Sequence, residues 1–153
     1  MQLKLITSIS EMQLIHDWLK DDELGKQELS EYLKTDQWFF LLKPNVRQAF
    51  FIVKNSEKIG FIDLEVQDLK TAYFSFYILP KKRNYGFASQ SIPILIKHCC
   101  GLKLQKLKAG VNLKNISSQR VLHKSGFQYV STDALGYMYF ELSILRFLHK
   151  FDE

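Results

Sequence analysis

Residues 73–88, YFSFYILPKKRNYGFA, run from an alternating aromatic strand into Pro80, the basic triplet Lys81, Lys82 and Arg83, then Gly86 and the small residue Ala88. An apolar stretch with helical spacing follows. A strand that breaks at a helix start presents backbone N–H groups without intrahelical acceptors, and the helix dipole adds positive potential there. Ringed by cations, such a turn is an anion site, and it points to a phosphate-bearing ligand.

Working outward, the spacing predicts a helix from about Tyr85 to Cys100, with Ala88, Ile92, Leu95 and Cys99 on one face. Pro93 removes one intrahelical bond, so a kink near residues 88–90, or a later start, is expected. Upstream, Ala49–Val53 and Ile59–Glu65 alternate around Asn55-Ser56-Glu57-Lys58 and read as a hairpin with a four-residue loop. Residues 67–70 turn the chain into the strand Thr71–Leu79. Nearer the N-terminus, Leu3–Thr7 reads as a strand and Met12–Lys20 as a helix capped by Ser8 or Ser10. A second helix is expected over Asp22–Leu33, and Trp38–Leu42 is too short for periodicity to decide. Downstream come a strand over Leu104–Val111, a short helix over Ser117–Lys124, the strand pair Phe127–Ser131 and Tyr137–Leu142, and a helical turn over Ile144–Phe151. The order β, α, α, β, β, β, α, β, α, β, β predicts a mixed α/β sheet with helices on its faces.

The 153 residues suit one domain, 1–153, and no repeat or linker divides them. A composition 46% hydrophobic, 24% charged and 14% aromatic is that of a folded globular protein. No apolar run reaches membrane-spanning length, which excludes a transmembrane helix. The first residues carry charge throughout and lack a cleavage site, so a cytoplasmic protein is expected. Cys99 and Cys100 are adjacent and cannot staple distant segments; they read as reduced, with at least one in the core, and a redox role for the vicinal pair is the alternative reading. His16, His98, His123 and His149 show no metal-binding spacing, so no metal is expected. Charge is divided unevenly: residues 1–70 carry −3 and residues 71–153 carry +8. The basic half would hold a polyanion and the acidic half would meet a cationic partner.

The segment Ile78–Ala88 resembles the acetyl-CoA-binding signature of the GNAT N-acetyltransferases, R/Q-x-x-G-x-G/A, with Arg83, Gly86 and Ala88 at its defining positions. A second block, Asn115-Ile116-Ser117-Ser118, then Leu122, then Lys124-Ser125-Gly126-Phe127, is similar to the family's N-x-x-S/A…G-F segment. The resemblance is strongest over residues 58–142, and the general look is nearest the ribosomal-protein N-terminal and small-amine enzymes. It implies a GNAT-like fold, a mixed and mostly antiparallel central sheet with helices on both faces. It also implies an acyltransferase with acetyl-CoA as cosubstrate and a small-molecule or peptide amine as acceptor.

The cofactor residues so implied are Phe76 and Ile78 of the strand, Arg83, Asn84, Tyr85, Gly86, Phe87 and Ala88 of the turn, and Asn115 and Ser118. Strand backbone would bond the pantetheine arm as an added strand does. Asn115 reads equally as an N-cap for the following helix. Direct attack of a neutral amine on the thioester requires a donor for the oxyanion, a route for the amine's proton and a proton for the thiolate. The Ile78 N–H is the expected donor. Many relatives place a tyrosine acid at the eighth position of the Asn block, which here is Leu122; Ser118 is the nearest matched hydroxyl. Asp63 and Glu65 share a strand face, and either could hold a water that takes the amine proton, Glu65 being the candidate base; a solvated strand face explains the pair as well. Two other readings stand beside this one. A GNAT-like domain could bind CoA without turnover, as a sensor or scaffold. The aromatic strand and basic half could instead serve RNA, although the sheet patterning of single-strand readers is absent and argues against nucleic acid. Monomer and homodimer are both compatible.

Overall fold

The computed structural model describes residues 1–150, with Leu24, Gln27, Glu28 and Glu31 described by their backbone alone. Along the chain the strands are β1 (Gln2–Leu5), β2 (Arg47–Lys54), β3 (Glu57–Val66), β4 (Thr71–Ile78), β5 (Lys106–Asn112), β6 (Gln128–Thr132) and β7 (Tyr137–Ser143). The helices are α1 (Ile9–Lys20), α2 (Glu23–Glu28), α3 (Thr35–Leu41), α4 (Phe87–Gly101), α5 (Ile116–Lys124) and α6 (Ile144–His149). The strands form one seven-stranded sheet in the order β1-β2-β3-β4-β5-β7-β6. Every pairing is antiparallel except β4 with β5. This is the mixed, mostly antiparallel sheet expected.

Alternation along the strands sorts the core into two layers. Phe50, Ile52, Ile62, Leu64, Phe74 and Ile78 pack beneath Ile92, Leu95, Ile96 and Cys99 of α4 and Leu122 of α5. On the other face Ala49, Phe51, Phe61 and Tyr77 meet Met12, Ile15 and Leu19 of α1 and Trp38 of α3. Of the four aromatic side chains of this strand, Phe74 and Tyr77 are core at 3% and 4% exposure, while Tyr73 and Phe76 are half-buried.

Local chemistry explains the departures from expectation. The β2–β3 connection is a two-residue turn, since Lys54 pairs with Glu57 and both Asn55 and Ser56 have φ > 0, at 51° and 64°. Such turns match the twist of the flanking strands. The segment 22–33 does not hold as one helix. α2 stops at Glu28, and a 3₁₀ turn over Ser30–Leu33 carries Tyr32 into the core, where its hydroxyl donates to Asp63 Oδ2 at 2.9 Å. The helix after Gly86 begins two residues later than the spacing suggested and runs unbroken past Pro93. The buried Ser91 hydroxyl donates to the Ala88 carbonyl at 2.8 Å within its first turns. Residue 151, the end of the expected C-terminal turn, lies outside the described residues.

Candidate active site

The parallel pair β4 and β5 is short. Thr71, Ala72 and Tyr73 pair with Lys106, Leu107 and Lys108, and beyond them the strands separate. β4 meanwhile stays paired with β3 as far as Ile78 opposite Gly60. A wedge therefore opens between β4 and β5 toward their carboxyl ends, the place where open α/β sheets take ligands.

The phase of β4 follows from its two ends. The Lys70 carbonyl accepts from Lys106 N–H on the β5 side, while Leu79 N–H donates to the Ile59 carbonyl on the β3 side. By the period of two, the N–H groups of Phe74, Phe76 and Ile78 face the wedge.

The signature loop closes the wedge's open end. After a 3₁₀ turn at Pro80–Lys82 the chain takes positive φ at Asn84 (68°) and again at Gly86 (79°), the N-cap of α4. Gly86 has no side chain to cap the helix, and the nearest atom to a Cβ built there is Gln90 Nε2 at 4.0 Å. The first turn of this 15-residue helix is left with uncapped N–H groups over open space. Ala88 is buried at the helix base, and Tyr85, 66% exposed, stacks on Phe87 with ring centres 5.6 Å apart.

Arg83 departs from expectation. Its guanidinium turns inward: Nη2 donates to Asp22 Oδ2 and Nε to the Ile78 carbonyl, both at 2.9 Å, and its charge lies 5.3 Å over the Tyr77 ring. Tyr77 donates to the same Asp22 oxygen at 2.7 Å. Burial works against the Asp22 charge, yet the bonds from Tyr77, Gly25 and Arg83 together hold its carboxyl below the usual range. Burial raises the Tyr77 hydroxyl, and the Asp22 carboxylate adds to that. Lys82 pairs with Glu57 at 3.0 Å on the surface; exposed Lys81 has no ion pair among the described residues.

Across the wedge, Asn115 caps α5, its Oδ1 accepting from Ser118 N–H at 3.1 Å. Ser118 is half-buried in that first turn, Leu122 is wholly buried, and His123 is exposed. Asn115, Ser118 and the loop 84–88 thus lie at the same edge of the sheet, beyond the ends of β4 and β5.

The carboxylates of β3 do not join them. Asp63, 3% exposed, is saturated by the Tyr32 hydroxyl, Trp38 Nε1, and Nε and Nη2 of Arg47, at 2.9 to 3.1 Å. Burial disfavours the Arg47 charge, and the bonds to Asp63 more than restore it, so its pKa is raised. Glu65 is exposed and stands opposite Tyr73. Five residues of strand, roughly 16 Å at about 3.3 Å each, separate that position from Ile78. The fold therefore does not bring Glu65 to the Ile78 end of the strand.

Sequence reasoning missed the groups at the vertex. Tyr73, Lys108, Tyr139 and Glu141 line a cavity of about 250 Å³ on the sheet face opposite α4. A cavity of about 420 Å³ between α1 and the start of α3 is larger but is lined by none of the wedge residues. The vertex is set by register between strands distant in sequence, and only the alternation within each strand hinted at it.

Known proteins share this fold. PseH, an N-acetyltransferase of Campylobacter jejuni, superposes with TM-score 0.69 at 22% identity, over 93% of this chain and 96% of its own. A chimera of the Vibrio cholerae spermidine N-acetyltransferase SpeG and hSSAT gives 0.79 at 17% identity, over 97% and 98%. The aminoglycoside acetyltransferase AAC(6′)-Ib gives 0.79 at 12%, over 99% and 100%. No curated protein sequence matches the chain. The family model described as an acetyltransferase (GNAT) domain matches residues 5–128, and with the wedge and signature loop in place the chain belongs to the GNAT acetyltransferase family.

Proposed function

We propose that the chain transfers the acetyl group of acetyl-CoA to a primary amine by direct attack within a ternary complex. As a GNAT enzyme it is an acetyl-CoA-dependent N-acyltransferase; the mechanism and the acceptor are the parts inferred here. The observation that carries the reading is the wedge, where β4 continues to Ile78 without β5 beside it and ends in a helix start with uncapped N–H groups. Acetyl-CoA fits these features: a diphosphate accepts from the first turn of α4, and an extended pantetheine arm bonds the free edge of β4. PseH, AAC(6′)-Ib and the ribosomal L7/L12 acetyltransferase RimL have each been solved with acetyl-CoA or CoA bound.

Acetyl-CoA supplies a thioester carbonyl, whose C–S bond breaks as the C–N bond to the amine forms. The N–H groups of Phe76 and Ile78 face the wedge and can donate to the acyl oxygen as negative charge develops on it. Ser118 is the hydroxyl on the matched block that can pass a proton to the departing thiolate, in place of the tyrosine that Leu122 excludes. Glu65 stands opposite Tyr73, roughly 16 Å along the sheet from Ile78, so in this reading the amine proton leaves through solvent at the open wedge. The acceptor is a small-molecule or peptide amine, as spermidine, aminoglycoside and ribosomal-protein substrates are for SpeG, AAC(6′)-Ib and RimL.

A melt with and without acetyl-CoA tests the cofactor site. At about 100 times its dissociation constant the ligand stabilises by roughly 2.7 kcal/mol, and Gly86→Glu, which places a side chain at φ 79°, abolishes the shift. Amine-dependent release of free CoA thiol then separates an enzyme from a CoA-binding scaffold. Absence of any shift at millimolar ligand would refute the cofactor site.

A further inference from the structure

We propose that Asp22 and Arg83 form a strut that positions α2 against the end of β4, so that Arg83 serves the acceptor side of the reaction and does not bind the cosubstrate's diphosphate. The inference rests on the cofactor-site reading above and refines it at one residue.

Arg83 belongs to the signature by position, and its charge is already matched. Asp22, whose side chain is 11% exposed, lies 2.9 Å from Nη2, and the two charges cancel locally. The same guanidinium donates through Nε to the carbonyl of Ile78, the last residue of β4. Both contacts use the planar fork of arginine, which spans two acceptors at a fixed angle. Asp22 in turn is the N-cap of α2, its Oδ1 accepting from Gly25 N–H at 3.3 Å while Oδ2 serves Arg83 and Tyr77.

Gly25 lets α2 lie close, because a Cβ there would come within 2.9 Å of Tyr77 Cε2. One continuous set of contacts therefore runs from the first turn of α2, through Asp22 and Arg83, to the backbone beside the wedge. The start of α2 meets Tyr77 through Gly25 and Asp22, on the face of β4 opposite α4. An amine entering from that face meets a surface whose position depends on Arg83.

The test uses Asp22→Asn, Arg83→Gln and Arg83→Lys in the full chain. Acetyl-CoA affinity is measured by calorimetry, and amide exchange is followed over residues 19–33. With an amine the wild type acetylates, the Michaelis constants of both substrates are compared. Lysine keeps the charge but cannot reach both acceptors at once. The strut predicts that all three variants speed exchange in α2 at least tenfold and raise the amine KM about tenfold. The acetyl-CoA dissociation constant stays within about threefold of wild type, and Arg83→Lys rescues nothing.

A diphosphate ligand gives the opposite pattern. Arg83→Gln then weakens acetyl-CoA tenfold or more, Arg83→Lys restores it, and Asp22→Asn tightens it by freeing the cation. That pattern, unchanged exchange in α2, or an unchanged amine KM each overturns the proposal. Failure of wild type to bind acetyl-CoA overturns the cofactor site itself, a separate result.

Discussion

Replacing Asp63 by alanine tests how the layer of α1 and α3 is held against the sheet. The carboxylate is buried at the centre of β3 and accepts four bonds, from Tyr32, Trp38 and twice from Arg47. Removing it leaves a hydroxyl, an indole N–H and a guanidinium whose side chain is only 12% exposed. Breaking a buried pair by deleting one partner costs about 3–5 kcal/mol, because the remaining charge stays desolvated. In a domain of this size each kcal/mol lowers Tm by roughly 2–4 °C, so a fall of ~10–15 °C is expected.

Calorimetry and urea denaturation should agree, with the urea midpoint falling and its slope unchanged. A second variant isolates the cause. Arg47→Met together with Asp63→Asn removes both charges, and it should regain much of the loss, since uncharged replacements of buried pairs are often neutral. A loss below about 1 kcal/mol for Asp63→Ala would mean that water solvates the site as it does a surface ion pair, and the network would not anchor this layer.

Two further outcomes follow from burial. Cys99 is inaccessible and burial pushes its thiol up to about 12, whereas Cys100 is exposed on the same helix. Alkylation of the native protein at pH 8 should modify Cys100 alone, and labelling of both thiols would contradict the packing of α4. His98 is held neutral by burial and lies with Nε2 2.7 Å from Gln48 Oε1. A histidine whose folded pKa is depressed binds its proton first in the unfolded chain, so stability falls as pH drops through about 6.5. The wild-type urea midpoint should therefore decline between pH 7 and 5.5 more steeply than that of His98→Gln; equal slopes would refute the assignment.

Much of the site was legible because it is local. The alternation of residues 73–78, the break at Pro80 and the glycine at an αL helix start are all encoded within a few residues, as is the Asn115 cap. What escaped is long-range or decided by packing. Nothing near Arg83 announces Asp22, which is 61 residues away. Tyr32 looks like an ordinary helical residue until Asp63 is seen to draw it inward, and Trp38 joins a helix because its indole serves the same carboxylate. Strand phase places Glu65 on the same face as Asp63, and phase does not report how far along the sheet that position lies from Ile78.

The uneven charge of the sequence also changes meaning once folded. The +8 half appeared to offer the signature loop three cations for a polyanion, yet Arg83 is matched by a nearly buried carboxylate from the first half. Lys82 shares its charge with Glu57 at the surface, where such pairs are weak and screened by salt. On the proposed cofactor site, Lys81 and Lys82 are the loop cations left to respond to a bound phosphate, and the uncapped N–H groups of α4 are the remaining donors. Salt should weaken acetyl-CoA binding only through those two lysines. Between 50 and 500 mM NaCl the dissociation constant of Lys81→Gln/Lys82→Gln should change less than about twofold, and Arg83→Gln should keep the wild-type dependence. If the salt dependence instead survives the double substitution and disappears with Arg83→Gln, the ion pair with Asp22 yields to the ligand and backbone donors are not the principal anion site.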